Sequence, residues 1–149
     1  MTVQTDAVIN DALIEMARSF LQYVAEAWPW VSTQSQHIEA EIIALAARQR
    51  QDVADIVNLL TEREHFIDFG SFPTEYTDLQ FLSLQALFSR LHHSQAVVVE
   101  TVSRALQTAQ QKGDEDAVGL LTVVEGRQKE LAAALKVVEQ DLSSVSASA

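Results

Sequence analysis

Apolar residues in this chain recur at steps of three and four over four long stretches, the spacing that lines one face of an α-helix. The first stretch runs Val8/Ile9, Ala12/Leu13, Met16, Phe20 and Val24. The second runs Ile38, Ile42, Leu45, Gln49, Asp52/Val53, Ile56 and Leu59/Leu60. The third runs Leu84, Leu87, Leu91, Gln95, Val98, Val102 and Ala105, with Phe81 and Phe88 beside it. The fourth runs Ala117, Leu120/Leu121, Val124, Gln128, Leu131, Leu135, Val138 and Leu142. Asp52, Gln95 and Gln128 thus interrupt three of these stripes near their middles, where a core should be apolar.

The stripes predict an all-α four-helix bundle. Helix one spans Asp6 to Trp28, and Pro29 ends it because proline cannot donate to the helix. Helix two opens near Thr33, where Thr33 and Gln36 have capping-box spacing, and stops around Glu64 or His65. Its ~30 residues would span roughly 45 Å. Helix three follows Thr77, spaced from Gln80 as in a capping box, and Gly113 closes it as a C-cap. Asp114 caps helix four, with Glu115 and Asp116 favouring the dipole of its first turn. Gly119 and Gly126 lie inside that helix, and close helix approach would explain them. The Ser/Ala residues 143–149 read as a disordered tail.

Between helices two and three lies Phe66 to Tyr76, broken by Gly70 and Pro73 yet rich in Phe66, Phe69, Phe72 and Tyr76. Such a segment predicts a strap against the bundle. Fully extended, its residues reach about 36 Å, most of a helix length. It could return the chain to the end where helix two began and make helices two and three parallel, joined by a long crossover.

Composition narrows the chemistry. The 149 residues are 48% hydrophobic, enough for one core in a single domain spanning 1–149. Cysteine is absent, which removes disulfides, thiolate metal sites and cysteine nucleophiles. A net charge of -11, from 21 acidic and 10 basic residues, disfavours nucleic acid as a partner. No apolar run approaches the roughly 20 residues needed to span a bilayer. The polar, acidic opening Met1 to Asp6 is unlike a signal peptide. The expectation is a cytoplasmic protein without a membrane partner.

The polar mid-height positions Asp52, Gln95, Glu125 and Gln128 are the leading candidate site, because bundle cores hold metals and cofactors there. Three readings stand: a hydrogen-bonded layer fixing helix register, an outward-turned Asp52 with Val53 filling the core, or a metal site. Other candidates lie outside the layer. Glu62 and His65 form a Glu-x-x-His pair at the end of helix two, with a capping histidine as the alternative. His92 and His93 are adjacent, so their rings point about 100° apart and at most one faces inward. His37 reads as a surface or capping residue. Trp28, Trp30, Phe66, Phe69, Phe72 and Tyr76 could form a binding patch or pack the strap and the end turn. No nucleophile–base arrangement or glycine-rich phosphate loop is recognisable.

Three short segments carry a resemblance: the turn Trp28-Pro29-Trp30, the stretch Phe72-Pro73-Thr74-Glu75-Tyr76-Thr77-Asp78-Leu79, and the step Ser83-Leu84. With the four stripes and the long middle connection, the chain resembles the ferritin-like superfamily on its rubrerythrin-related bacterial side, roughly from Ala12 to Leu142. That resemblance implies a di-iron or di-manganese centre built from carboxylates and Glu-x-x-His pairs. The ligands carry over poorly. Glu125-x-x-Gln128 has glutamine in place of histidine, Gln95 stands at the polar position of helix three, and Asp55 follows Asp52 by three. Glu15 and Glu26 fall off the stripe of helix one.

The leading expectation is therefore a non-catalytic bundle with a degenerate di-iron site and no cofactor, serving as an interaction or oligomerisation module, with a homodimer as the expected assembly. The alternatives are a divergent metal-binding oxidoreductase or iron-handling protein using Glu125, Asp52 and a histidine, and a phasin-like or adaptor-like helical scaffold.

Overall fold

The computed structural model describes residues 3–28, 33–72 and 83–148. The described chain is all-helical: α1 (Val3–Ala17), α2 (Phe20–Glu26), α3 (Thr33–Glu62), α4 (Leu84–Gln111) and α5 (Glu115–Ser148). No helix is long and apolar enough to cross a membrane, among the described residues.

Two buried apolar clusters fix how the helices lie. One gathers Phe20, Leu21 and Val24 of α2 with Ile38 to Ala46 of α3, Leu87 to Leu91 of α4 and Leu131 to Leu142 of α5. The other gathers Ile9 to Met16 of α1, Ile56 and Leu60 of α3, Val98 to Ala109 of α4 and Ala117 to Val124 of α5. Both α3 and α4 begin in the first cluster and end in the second. They run in the same direction, opposite to α1 and α5, so the result is a bundle of four columns with α1 and α2 stacked as one.

Residues 63–72 start the return from one cluster to the other. Ile67 packs on the second cluster. Asp68 then docks on α1 through a two-way pair: Asn10 Nδ2 donates to the Asp68 carbonyl at 3.0 Å, and the Asp68 N–H donates to Asn10 Oδ1 at 3.1 Å. Gly70 adopts φ +71° one turn further along α1, where a Cβ would stand 2.8 Å from Ile14 Cγ2. Both the backbone angle and the space there require glycine. Phe72 meets Tyr23 of α2 edge-on, with ring centroids 5.3 Å apart. The packing of the strap is partial, since Phe66 and Phe69 are 84% and 50% exposed.

Several sequence expectations are corrected. Helix one is broken at Ser19, whose extended ψ of 156° ends α1, and its side chain accepts from the Gln22 N–H to cap α2. The freed Phe20 N–H donates to Ser94 Oγ of α4 at 3.0 Å. The described third long helix starts at Leu84, capped by Ser83, whose hydroxyl accepts from the Ala86 N–H. The Thr77–Gln80 box, Pro29, Trp30 and Tyr76 lie outside the described residues. The last turns of α5 are formed by the Ser/Ala residues from Ser143, where the sequence predicts fraying. Gly119 and Gly126 serve no close approach: a Cβ at either would meet nothing within 4 Å.

Two helix ends follow the same design with different residues. At the end of α4, Gly113 at φ +68° donates to the Gln110 carbonyl, and Asp114 donates to the Ala109 carbonyl. At the end of α3, Glu64 at φ +56° donates to the Thr61 carbonyl, and His65 donates to the Leu60 carbonyl. Both are Schellman closures, and Glu64 takes a left-handed angle that favours glycine.

Candidate functional site: a glutamine layer at mid-height

Between the two apolar clusters, every column contributes a buried polar side chain. α3 supplies Gln49 (0% exposed) and Asp52, α4 supplies Gln95, and α5 supplies Gln128 (0% exposed). The break in the first column supplies Ser19 and Gln22, both buried. A helix running unbroken through Ser19 would turn these side chains differently. The cap at Ser19 is therefore what brings the first column into the layer.

The contacts interlock. Ser19 Oγ donates to Gln49 Oε1 at 2.8 Å, and Gln22 Nε2 donates to the same oxygen at 2.9 Å and to the Ala46 carbonyl at 2.9 Å. Gln49 Nε2 donates to Gln95 Oε1 and to Gln128 Oε1, both at 3.1 Å. Gln95 Nε2 donates to Gln128 Oε1 and to the Gln128 carbonyl, both at 3.0 Å. Gln128 Nε2 donates to Asp52 Oδ2 at 2.8 Å. A buried polar atom left unpaired costs about 1–3 kcal/mol, so this mutual matching is what makes the layer tolerable in a core.

Asp52 ends the layer just beneath the surface. Its Oδ1 accepts from Arg127 Nη1 at 3.0 Å, and Asp55 Oδ2 lies 3.5 Å from the same nitrogen. The hydrogen bond to Asp52 raises the Arg127 guanidinium further above its ordinary value. Arg127 is half-exposed and lines a surface pocket of about 230 Å³ with Arg48, Gln51, Asp52, Glu130 and Leu131. Asp52 therefore faces inward, against the reading in which it turns out and Val53 fills its place.

Glu125 is not in the layer. It accepts from Ser103 Oγ of α4 at 2.5 Å and pairs with Lys129 at 3.5 Å. Glu62 and His65 share no helix face, because α3 ends at Glu62 and Glu64 turns left-handed between them. His92 reaches Glu139 of α5 at 3.0 Å and tilts against Phe88, while His93 and His37 are exposed. Among the described residues no three His, Asp or Glu side chains gather as a metal-binding group.

The donor set of the layer does not fit a di-iron or di-manganese centre. Such centres take several carboxylates and imidazoles, whereas here one carboxylate is already engaged by a guanidinium and an amide. The oxygens of Gln49, Gln95 and Gln128 all accept from neighbours within the layer. Sequence reasoning placed Asp52, Gln95 and Gln128 in the layer and missed the roles of Ser19, Gln22 and Gln49. Gln49 was visible on the second stripe. Ser19 and Gln22 have the Ser-x-x-Gln spacing of a helix start, and that was the available clue to the break.

A second polar cluster closes the end where α1 begins. Arg63, at the end of α3, donates through Nη1 and Nη2 to the two oxygens of Asp114, both at 2.7 Å. Nη1 also donates to Asp6 Oδ1 of α1 at 2.8 Å. Asp114 also caps α5 by accepting from the Ala117 N–H. The Arg63 hydrogen bond, with help from the Ala117 N–H, holds the Asp114 carboxyl below the usual carboxylate range. The two carboxylates push the Arg63 guanidinium up.

No protein-family model matches this chain, and a search of curated proteins returns no match.

Proposed function

We propose that the chain is a ferritin-like four-helix bundle that has exchanged a metal centre for a glutamine layer and serves as a non-catalytic interaction or oligomerisation module. The observation that carries this reading is the closure of the layer on itself. Its amide groups hold one another in the place where metal ligands would project. The common direction of α3 and α4, and the course of residues 66–72 along α1, support the crossover that a ferritin-like topology requires. The expected partner is a second copy of the chain.

Metal analysis of protein purified from iron- and manganese-supplemented cells tests the first half. Substoichiometric metal, unchanged by Asp52→Ala, is expected. Stoichiometric metal lost on that substitution would instead favour the oxidoreductase or iron-handling reading. Sedimentation over a wide concentration range tests the second half: a dimer is expected, and a monomer throughout removes self-association from the proposal.

A further inference from the structure

The hydrogen bonds of the glutamine layer all point one way, and Asp52 is the reason. An ionised carboxylate only accepts, so Gln128 must turn its NH2 group toward it. Gln128 Oε1 then faces Gln49 and Gln95, and both must donate to it. With its NH2 spent on Gln95 and Gln128, Gln49 turns its oxygen toward the first column, where Ser19 and Gln22 must donate. Each amide has two usable ends, and each is set by the neighbour closer to Asp52. The sequence of donors starts at the α1–α2 break, crosses the core and finishes at Asp52, whose other oxygen accepts from Arg127 in the wall of the α3–α5 pocket.

We infer that the layer is a single directional unit, in which the Asp52 carboxylate sets the seating of α2 on the far side of the bundle. A change in the donor and acceptor character at position 52 is thereby transmitted to the break at Ser19. The α2 segment is well suited to respond. It has seven residues, too few to be stable as an isolated helix. Three of its polar attachments to α3 belong to the layer or adjoin it: Ser19 Oγ to Gln49, and Gln22 Nε2 to Gln49 and to the Ala46 carbonyl. The Phe20 N–H on Ser94, the Tyr23 ring on Phe72 and the apolar contacts of Phe20, Leu21 and Val24 stay in place when the amides reorient. The response is therefore a looser α2 and not an unfolded bundle. This inference is independent of whether the chain is an interaction module.

Amide hydrogen exchange on the full chain at neutral pH tests it with Arg127→Gln and Asp52→Asn. Asparagine can donate as well as accept, so Asp52→Asn frees every amide beyond it to adopt either orientation. Asp52→Asn should speed exchange at the α2 amides, Tyr23 to Ala27, by about tenfold, the scale of losing one internal hydrogen bond. Arg127→Gln leaves the carboxylate facing Gln128 and should leave α2 unchanged. Exchange in the second half of α4, Val98 to Ala109, should stay unchanged. Asp55→Asn, which removes the other carboxylate touching Arg127, should leave α2 unchanged. Faster exchange confined to α3 and α5, or spread evenly over the chain, would overturn the inference. Should Asp52→Asn fail to fold, Gln128→Met carries the test, because it cuts the link between Asp52 and Gln49 and should speed exchange at α2 in the same way. The Gln22 side-chain NH2 resonances supply a second readout in either variant: they should shift, and unchanged positions would also overturn the inference.

Discussion

At mid-height, four columns meet through glutamine amides; at the end where α1 begins, three meet through one guanidinium and two carboxylates. The end cluster is small, and its charges sit where the helix dipoles want them. Asp6 lies in the first turn of α1, Asp114 caps α5, and Arg63 follows the last turn of α3. The mid-height layer meets one helix start, the uncharged Ser19 cap of α2, and otherwise crosses continuous helices. It relies on groups that donate and accept at once, so each column can satisfy two others. Ion pairs suit the ends of a bundle and amides suit its waist, because a buried charge tolerates no missing partner whereas an amide can share several.

Removing Arg63 should break this comparison most strongly. Arg63→Met leaves Asp6 and Asp114 nearly buried without their cation, at a cost of about 3–5 kcal/mol at neutral pH by chemical denaturation. The cost should fall with pH. Asp114 titrates below its ordinary value in the folded wild type, so its stabilisation is complete above the unfolded carboxylate value of about 3.9. That stabilisation is lost as pH falls through the lower folded value. The gap between wild type and variant should therefore narrow from pH 7 toward pH 3. A gap that stays constant would mean that Arg63 contributes by packing alone.

The layer should fail differently. Gln49→Leu removes the acceptor of Ser19 and Gln22 and the donor to Gln95 and Gln128 at once, for a loss of about 2–3 kcal/mol. Amides do not ionise, so this loss should be flat between pH 5 and pH 9. A strong pH dependence in that range would show that the layer draws on a titrating group.

These two clusters also mark where the sequence could be read. The stripes announced the four columns and put Asp52, Gln95 and Gln128 at their centre, because burial follows helical periodicity. The Asp114 cap was equally visible, since capping is local. The partners were not: nothing near Arg63 in sequence points to Asp6 or Asp114, more than fifty residues away. The break at Ser19 was hidden because its apolar neighbours keep helical spacing across it. Glu125 was misplaced because one helical step separates the layer from the α4–α5 groove where it meets Ser103.

Helix ends give a finer contrast. Gly113 and Glu64 occupy the same position in two Schellman closures, at φ +68° and φ +56°. A side chain at a left-handed angle costs about 1–2 kcal/mol. Gly113→Ala should therefore destabilise by about 1 kcal/mol, and Glu64→Gly should stabilise by somewhat less, because glycine also loses more entropy on folding. Thermal denaturation of the two single variants checks both signs. A stabilising Gly113→Ala would mean that the backbone strain is relieved elsewhere.

The smallest expected effect concerns Gly119 and Gly126, which lie inside α5 with open space where a Cβ would stand. In the isolated chain each change to alanine should raise stability by about 0.5–1 kcal/mol, the intrinsic helix preference of alanine over glycine. Both residues are exposed, as is Val123 between them, on a helix that supplies the mid-height Gln128 from its opposite face. Measured at low protein concentration, the gain should appear for either substitution. If it reverses as the concentration is raised, the glycines are covered in the assembled form, because only a partner packed on that face would meet the added methyl. A gain that is the same at every concentration places the self-association surface elsewhere on the bundle.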